Sequence, residues 1–306
     1  PFSARAALPL RVVAAATLLG IAAFPLSGAY YLWMEIPARS GPGVTPSFFP
    51  HGAGSILQST LPRGGLLASN TIGGFVTFHA APRLLPLTDG RWEVQDPGTL
   101  ARVLQSTQSG GDWRGLATRY DLRAILLAHT SPEARRILPE IASDPGWRLV
   151  YFDAAASLWL PSGSTNLPAV PPDEPASLPA LSRPEDGMFV AAFASAVRAP
   201  RLEEASLVSA LRFGVRRAFL RGPLGMTRLR TGQYAAAEET FRELLRLQPR
   251  NETALNELAF LAFRSGRLDE SLRLLDELVR LRPENLEYRQ NRERLEAARS
   301  RRLNSR

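Results

Sequence analysis

The segment "GQYAAAEETFRELLRLQPRN" begins at Gly232, and "GRLDESLRLLDELVRLRPEN" begins at Gly266, 34 residues later. Gly232 and Gly266, Pro249 and Pro283, and Asn251 and Asn285 all keep that offset. Apolar residues recur within each copy at helical spacing, so each unit is a pair of helices with one apolar face. A single such unit cannot bury that face; its neighbour in the stack covers it. The repeat therefore restricts this part of the chain to an all-α solenoid. About three units are needed for a stable stack. Stepping back one period gives "PEDGMFVAAFASAVRAPRLEEASLVSALRFGVRR" (184–217) as a degenerate first unit. After Pro283, "NLEYRQNRERLEAARSRR" is polar enough to serve as a capping helix.

The repeat resembles the tetratricopeptide motif. Leu224, Gly225, Tyr234, Ala237 and Phe241 fill the packing positions of one unit, and Leu258, Ala259, Leu268, Ser271 and Leu275 those of the next. Ser271 in place of alanine and Arg221 in place of tryptophan depart from the motif. The resemblance, over 218–285, implies a protein or peptide partner held in the concave groove lined by the first helix of each pair. There Met226, Leu229, Arg230, Asn256, Phe260, Phe263 and Arg264 are the candidates. Phe260 and Phe263, at helical spacing, serve either as core or as groove. Arg230 and Arg264, one period apart, form either an acid-receiving pair or a solvated one.

At the other end, Val12–Met34 is 23 residues without a charge. As a helix it is about 34 Å long, against a hydrocarbon core of about 30 Å. Arg5 and Arg11 flank its start, and Tyr30, Tyr31 and Trp33 its exit. This predicts a transmembrane helix with a cytoplasmic stub at 1–11 and residues 35–306 extracytoplasmic, at a bacterial inner membrane. The rival is a signal peptide cleaved after Ser27-Gly28-Ala29. A first residue of proline rather than methionine is expected of a processed chain or a fragment of a longer reading frame.

Between these ends, a connector (35–60) leads into alternating short apolar runs and helical patterns. Strands are expected at Gly65–Asn70, Arg83–Arg91, Arg123–His129, Arg148–Asp153 and Ser157–Pro161, the last two as a hairpin. Helices are expected over Pro97–Thr118 and Pro132–Ser143. The pattern is that of a small α/β domain at 61–162. Seven prolines in Pro161–Pro184 then predict an extended, poorly packing linker at 163–183.

Asn70, Gly73-Gly74-Phe75, Asp89-Gly90-Arg91, Trp113, Tyr120 and Trp147-Tyr151-Asp153, in that order, make residues 39–161 resemble the extracytoplasmic carboxy-terminal domain of polytopic GT-C-like bacterial membrane glycosyltransferases. That resemblance implies a larger protein handling a lipid-linked sugar, with its catalytic acid in an early loop before Pro1. Asn70, Gly73, Gly74, Asp89 and Arg91 are the candidate ligand contacts: the glycines permit close approach, and Asp89 and Arg91 end a predicted strand. The alternative makes Asp89-Gly90 a plain turn. The tryptophans serve as core or as sugar platforms.

Composition narrows the chemistry. The chain has no cysteine, and all 37 basic residues are arginine, so thiolate and Schiff-base lysine chemistry are excluded. His51, His79 and His129 are far apart and in no metal-ligand spacing. "HGAGSIL" (51–57) is neither a phosphate loop nor a nucleophile elbow. No cofactor, metal or catalytic set is expected. The net charge of +8 owes half to Arg299, Arg301, Arg302 and Arg306 in a basic tail, and no aromatic-interleaved basic patch points to nucleic acid. The expected architecture is a membrane-anchored multidomain chain: one transmembrane helix, a small α/β domain, then helical repeats over 184–300 and a tail at 301–306. The expected role is protein–protein interaction, either as the carboxy-terminal part of a GT-C-like protein or as a non-catalytic, singly anchored scaffold.

Overall fold

A computed structural model of the chain describes Thr17 and residues 49–59, 61, 63–90, 96–108, 112–214 and 218–304. The predicted span at 12–34 lies outside this set save for Thr17. Among the described residues no helix is long and apolar enough to cross a membrane.

The α/β part opens with helix α1 (His51–Ser59), strand β1 (Gly64–Ala68), a 3-10 turn (Asn70–Ile72) and helix α2 (Gly73–Ala80). Strand β2 (Leu84–Pro86), helices α3 (Pro97–Gln108) and α4 (Trp113–Arg119), and strand β3 (Leu122–Ala128) follow. Helix α5 (Pro132–Ile141) and the hairpin β4 (Trp147–Phe152) and β5 (Ala156–Pro161) complete it. The strand order is β2-β1-β3-β5-β4. β1 pairs in parallel with both β2 and β3, whereas β5 is antiparallel to β3 and to β4. β1 and β3 are buried almost residue by residue, as a sheet covered on both faces requires. Leu57, Val76 and Ala80 meet Leu66, Leu126 and Leu158 on one face. Val103, Trp113 and Ile137 meet Leu67, Ile125 and Trp159 on the other.

The expected sheet and its closing hairpin form, but the expected connector at 35–60 holds α1, whose Ala53 and Leu57 are buried against the sheet, and α2 follows β1 where no helix is expected. Two smaller differences are local. The long strand at 83–91 shrinks to Leu84–Pro86, and among the described residues β2 is an edge strand paired with β1 alone. The single helix at 97–118 becomes two, and the Asp112 side chain caps the second by accepting from the Arg114 N–H.

The larger difference is at 163–183. The segment has little regular structure, only a 3-10 turn at Pro175–Ser177, yet it is docked rather than extended into solvent. The Val170 N–H donates to the Leu149 carbonyl at 2.9 Å, and Val170, Leu178 and Leu181 pack against the sheet core. Prolines prevent the segment from forming helix or ladder but do not prevent its apolar side chains from docking. Residues 46–306 accordingly form one compact unit.

The helical part comprises α6 (Pro184–Ala196), α7 (Pro200–Leu211), α8 (Ala218–Arg230), α9 (Tyr234–Leu247), α10 (Glu252–Arg264), α11 (Leu268–Leu281) and α12 (Leu286–Asn304). α6 is apolar on more than one side because it serves two cores. Val190, Phe193 and Ala194 join the sheet core, while Ala191 packs with Leu207 and Leu224 toward the next helix pair. The solenoid's first helix is therefore also a layer of the α/β part.

The 34-residue register shows in the packing. Ala191, Gly225 and Ala259 are equivalent, and each is buried beside Leu207, Phe241 and Leu275 respectively. The smallest residue stands opposite the largest: a Cβ on Gly225 would lie 2.5 Å from the Phe241 ring. Gly232 and Gly266 turn each helix pair with φ of 77° and 75°, a conformation that favours glycine. The two departures from the motif are both satisfied. Ser271 donates to the Ala259 carbonyl at 2.7 Å, and the buried Arg221 donates to Glu243 at 3.0 Å. Among the described side chains of polar α12, Leu295 alone is buried, and the helix is tied down by Arg292–Asp276 and Arg299–Asp269 pairs.

Candidate functional site

Two places collect the residues singled out in the sequence. The first is the carboxyl end of β1 and β3, where the chain direction across the sheet reverses and open α/β sheets commonly bind ligands. There Ser69 and Ser131, both buried, share a hydroxyl hydrogen bond of 2.8 Å. Ser69 Oγ also accepts from the Ala128 N–H, and Ser131 Oγ caps α5 by accepting from the Ala134 N–H. Asn70 spends both ends of its amide on protein: its oxygen accepts from Thr88 at 2.6 Å, and its nitrogen lies 3.4 Å from Glu133 Oε1.

Gly73 lies inside the start of α2, and its close approach is to the Asp89 backbone, 2.4 Å from where a Cβ would stand. A Cβ on Gly74 meets open space. Gly90 turns with φ of 83°, as the turn alternative requires, and Arg91 lies outside the described residues. The structure thus sets Gly73 against the Asp89 backbone and bonds Asn70 to Thr88 and Glu133.

His129 closes this end. It is 3% exposed, its ring stacks on Phe193 at 4.7 Å, and neither ring nitrogen has a hydrogen-bond partner among the described residues. Burial pushes its pKa down to about 3; the backbone at Ala154 offsets part of this from outside hydrogen-bonding geometry. Trp113 and Trp159 are buried core, and Trp113 also donates its indole N–H to Glu140 at 2.9 Å. Trp147 packs edge-on to Trp113.

The second place is a groove of about 320 Å³ between α10, α11 and α12. Phe260 and Phe263 form its apolar wall and are 48% and 53% exposed, so they are groove rather than core. Asn256 lies one turn earlier on the same helix, Leu275 and Ser271 form the floor, and α12 supplies Asn291, Arg294 and Leu295. Among the described residues no carboxylate lines the groove. Arg294 has no acidic partner among the described residues.

Arg294 and its neighbours on α12 are absent from the residues chosen by sequence, because a polar cap announces no groove. The signal was available in the period. Met226, Phe260 and Arg294 stand 34 residues apart and hold equivalent places on α8, α10 and α12.

The two arginines one period apart do not form a matched pair. Arg230 bonds Glu203 at 2.5 Å and Ser195 Oγ at 3.3 Å, tying α8 to α7 and α6. Arg264 lies 3.8 Å above the Tyr234 ring, a cation–π contact. The period sets each arginine against the preceding unit but does not repeat its partner: the counterpart of Tyr234 is Pro200, and that of Glu203 is Ala237.

The family comparison decides what these helices are: residues 223–285 match the tetratricopeptide repeat model. This segment is a tetratricopeptide array. The solved structures it is similar to include YrrB, described as a TPR protein with an unusual peptide-binding site. YrrB is 14% identical over 37% of this chain and 58% of that one, with a TM-score of 0.34. MamA (41-end) from Desulfovibrio magneticus RS-1 is 15% identical over 38% and 66%, with a TM-score of 0.36. A thermophilic TPR protein from Thermus thermophilus is 22% identical over 37% and 63%, with a TM-score of 0.33. The chain thus spans less than two thirds of each of these structures. No curated protein matches the chain. The α/β part lies outside the matched tetratricopeptide segment.

Proposed function

We propose that the chain is a protein-interaction module whose tetratricopeptide groove receives a peptide segment carrying a large apolar side chain next to a carboxylate. The observation that carries this is the wall of Phe260 and Phe263, half exposed in a groove with a cation and no acid. An apolar side chain gains by leaving water between the two rings. A carboxylate gains by pairing with Arg294, with the Asn291 amide beside it as a donor; Asn256 already donates to Glu257 at 3.1 Å. The test is selection from a random peptide library on the intact chain, followed by titration of one selected peptide. Phe260→Ala and Phe263→Ala should each weaken it roughly tenfold or more. Selected peptides that bind both variants as tightly as the parent would place the site elsewhere.

The run at 12–34, with Arg5 and Arg11 before it and an aromatic cluster after it, supports an anchored chain with this groove outside the cytoplasm. The order of motifs across 39–161 supports a second reading, in which the array recruits partners to a GT-C-like protein that handles a lipid-linked sugar. The reading frame upstream of Pro1 distinguishes them. Several further spans with an acid in the first outer loop support the transferase. A start codon within a few residues leaves the scaffold.

A further inference from the structure

A series of rings runs from Phe49 along α2, with Phe49 and Phe75 partly buried against the sheet core and Phe78 turned to solvent. Phe49 stacks on Phe75 at 5.5 Å, and His51 meets Phe75 edge-on at 5.6 Å. Phe75 lies 4.3 Å from His79, which meets Phe78 edge-on at 5.1 Å. Phe78 is 81% exposed, the most open large apolar side chain among the described residues. The inner side of α2 is used up on the sheet core by Val76 and Ala80. The helix "GGFVTFHA" has no charged face to turn to water, and its exposed positions, Gly74 and Phe78, form an apolar tip that a second apolar surface would cover.

Two observations say what that surface is. The first is charge. His79 Nδ1 bonds Gln58 Nε2 at 2.9 Å, and Arg83 reaches the Gln58 carbonyl at 3.5 Å. Arg63 stands beside Arg83, since the Gly64 N–H donates to the Arg83 carbonyl. Both arginines are exposed and lack an ion pair among the described residues. The acids close by are spent: Asp153 accepts from Tyr151 and from two backbone N–H groups, and Asp121 pairs with Arg123. The face therefore offers rings and cations, which suits lipid headgroups of negative charge. The second is position. Phe49, at one end of the ring series, is where the chain arrives from residues 35–48. Those 14 residues follow the apolar run and span at most roughly 50 Å when extended.

We propose that this aromatic face, with Phe78 at its tip and Arg63 and Arg83 at its flank, rests on the interface of an anionic lipid bilayer. It rests on reading 12–34 as a span. The face then lies in the headgroup layer, its rings among the upper acyl carbons and its arginines at the phosphates.

The absence of cysteine makes the test direct. The full chain, carrying Phe78→Cys, Gly74→Cys, Leu286→Cys or Leu19→Cys, is labelled with a nitroxide. It is then reconstituted in vesicles of phosphatidylcholine with phosphatidylglycerol. Gly74→Cys adds a side chain into open space, so it reports on the same face should loss of Phe78 disturb the fold. Collision with oxygen should exceed collision with a water-soluble nickel chelate at 19, 74 and 78, and the reverse should hold at 286. The oxygen-to-nickel ratio at 78 should be several-fold higher than at 286. Adding Arg63→Gln and Arg83→Gln should lower it, as should vesicles of phosphatidylcholine alone. Oxygen preference at 19 with nickel preference at 74 and 78 overturns the proposal and leaves the anchor standing. Nickel preference at 19 overturns the anchor itself. Shielding of 74 and 78 from both reagents overturns the lipid assignment in favour of a second copy of the chain.

Discussion

Acidification should unlock the seam between the sheet and the helical repeats, because His129 is buried there without a proton partner. Its pKa is held near 3 by burial, against 6.5 for the free side chain, so folding excludes the proton. A depressed folded value means that the unfolded chain binds the extra proton, and stability falls as pH drops below 6.5. At pH 7 the two states differ little. At pH 5 the unfolded state is favoured by about 1.36 × (6.5 − 5), or about 2 kcal/mol. The loss continues toward pH 3.

Asp153 titrates in the opposite sense. Its pKa is raised by burial, so its charged form costs stability above its folded pKa and that cost is relieved on acidification. A comparison with His129→Leu removes such terms. Urea unfolding followed by tryptophan fluorescence is suited to this, since Trp113, Trp147 and Trp159 pack in the same core as Phe193. The difference in unfolding free energy between the parent and His129→Leu should shift by about 2 kcal/mol from pH 7 to pH 5, against the parent. A difference that stays constant across that range would refute the buried, unpartnered histidine.

Other outcomes follow from the packing of the repeats. Gly225→Ala should destabilise by about 1–3 kcal/mol through its clash with Phe241. With Phe241→Leu present the same change should stabilise by up to about 1 kcal/mol, since alanine is the better helix former and the pair then matches Ala259 and Leu275; thermal denaturation of the four proteins of the cycle measures both. Gly266→Ala forces a side chain into a left-handed turn and should cost about 1–2 kcal/mol, with Gly266→Asn milder, by the same assay. Ser271→Val loses the bond to the Ala259 carbonyl and adds bulk at a buried site where the motif holds a small residue; about 1 kcal/mol or more should be lost, and Ser271→Ala should cost less because alanine is the residue the motif prefers. Arg294→Gln should weaken a selected acidic peptide and flatten its salt dependence, whereas Arg230→Gln should lower stability more than affinity, given its bond to Glu203.

What the sequence by itself determined was whatever a local period can carry. The 34-residue offset of Gly232 and Gly266 locates the helix pairs, their turns and their small-against-large contacts, because each helix repeats the same exposure as its copy. Short apolar runs bounded by turn residues likewise locate β1, β3 and β5, since a doubly covered strand is largely apolar, and the turn into β5 locates its hairpin partner β4.

Tertiary structure decided what each surface faces. It docked the proline-rich segment on the sheet, because Val170, Leu178 and Leu181 find a core that lies far away in sequence. It made α6 a layer shared by sheet and solenoid, consumed Asn70 on Thr88 and Glu133, and set Arg230 against Glu203. It also turned a polar cap into a groove wall at Arg294. A period records which side of a helix is apolar, but the partner of a side chain depends on how distant segments pack, and no local pattern contains that distance.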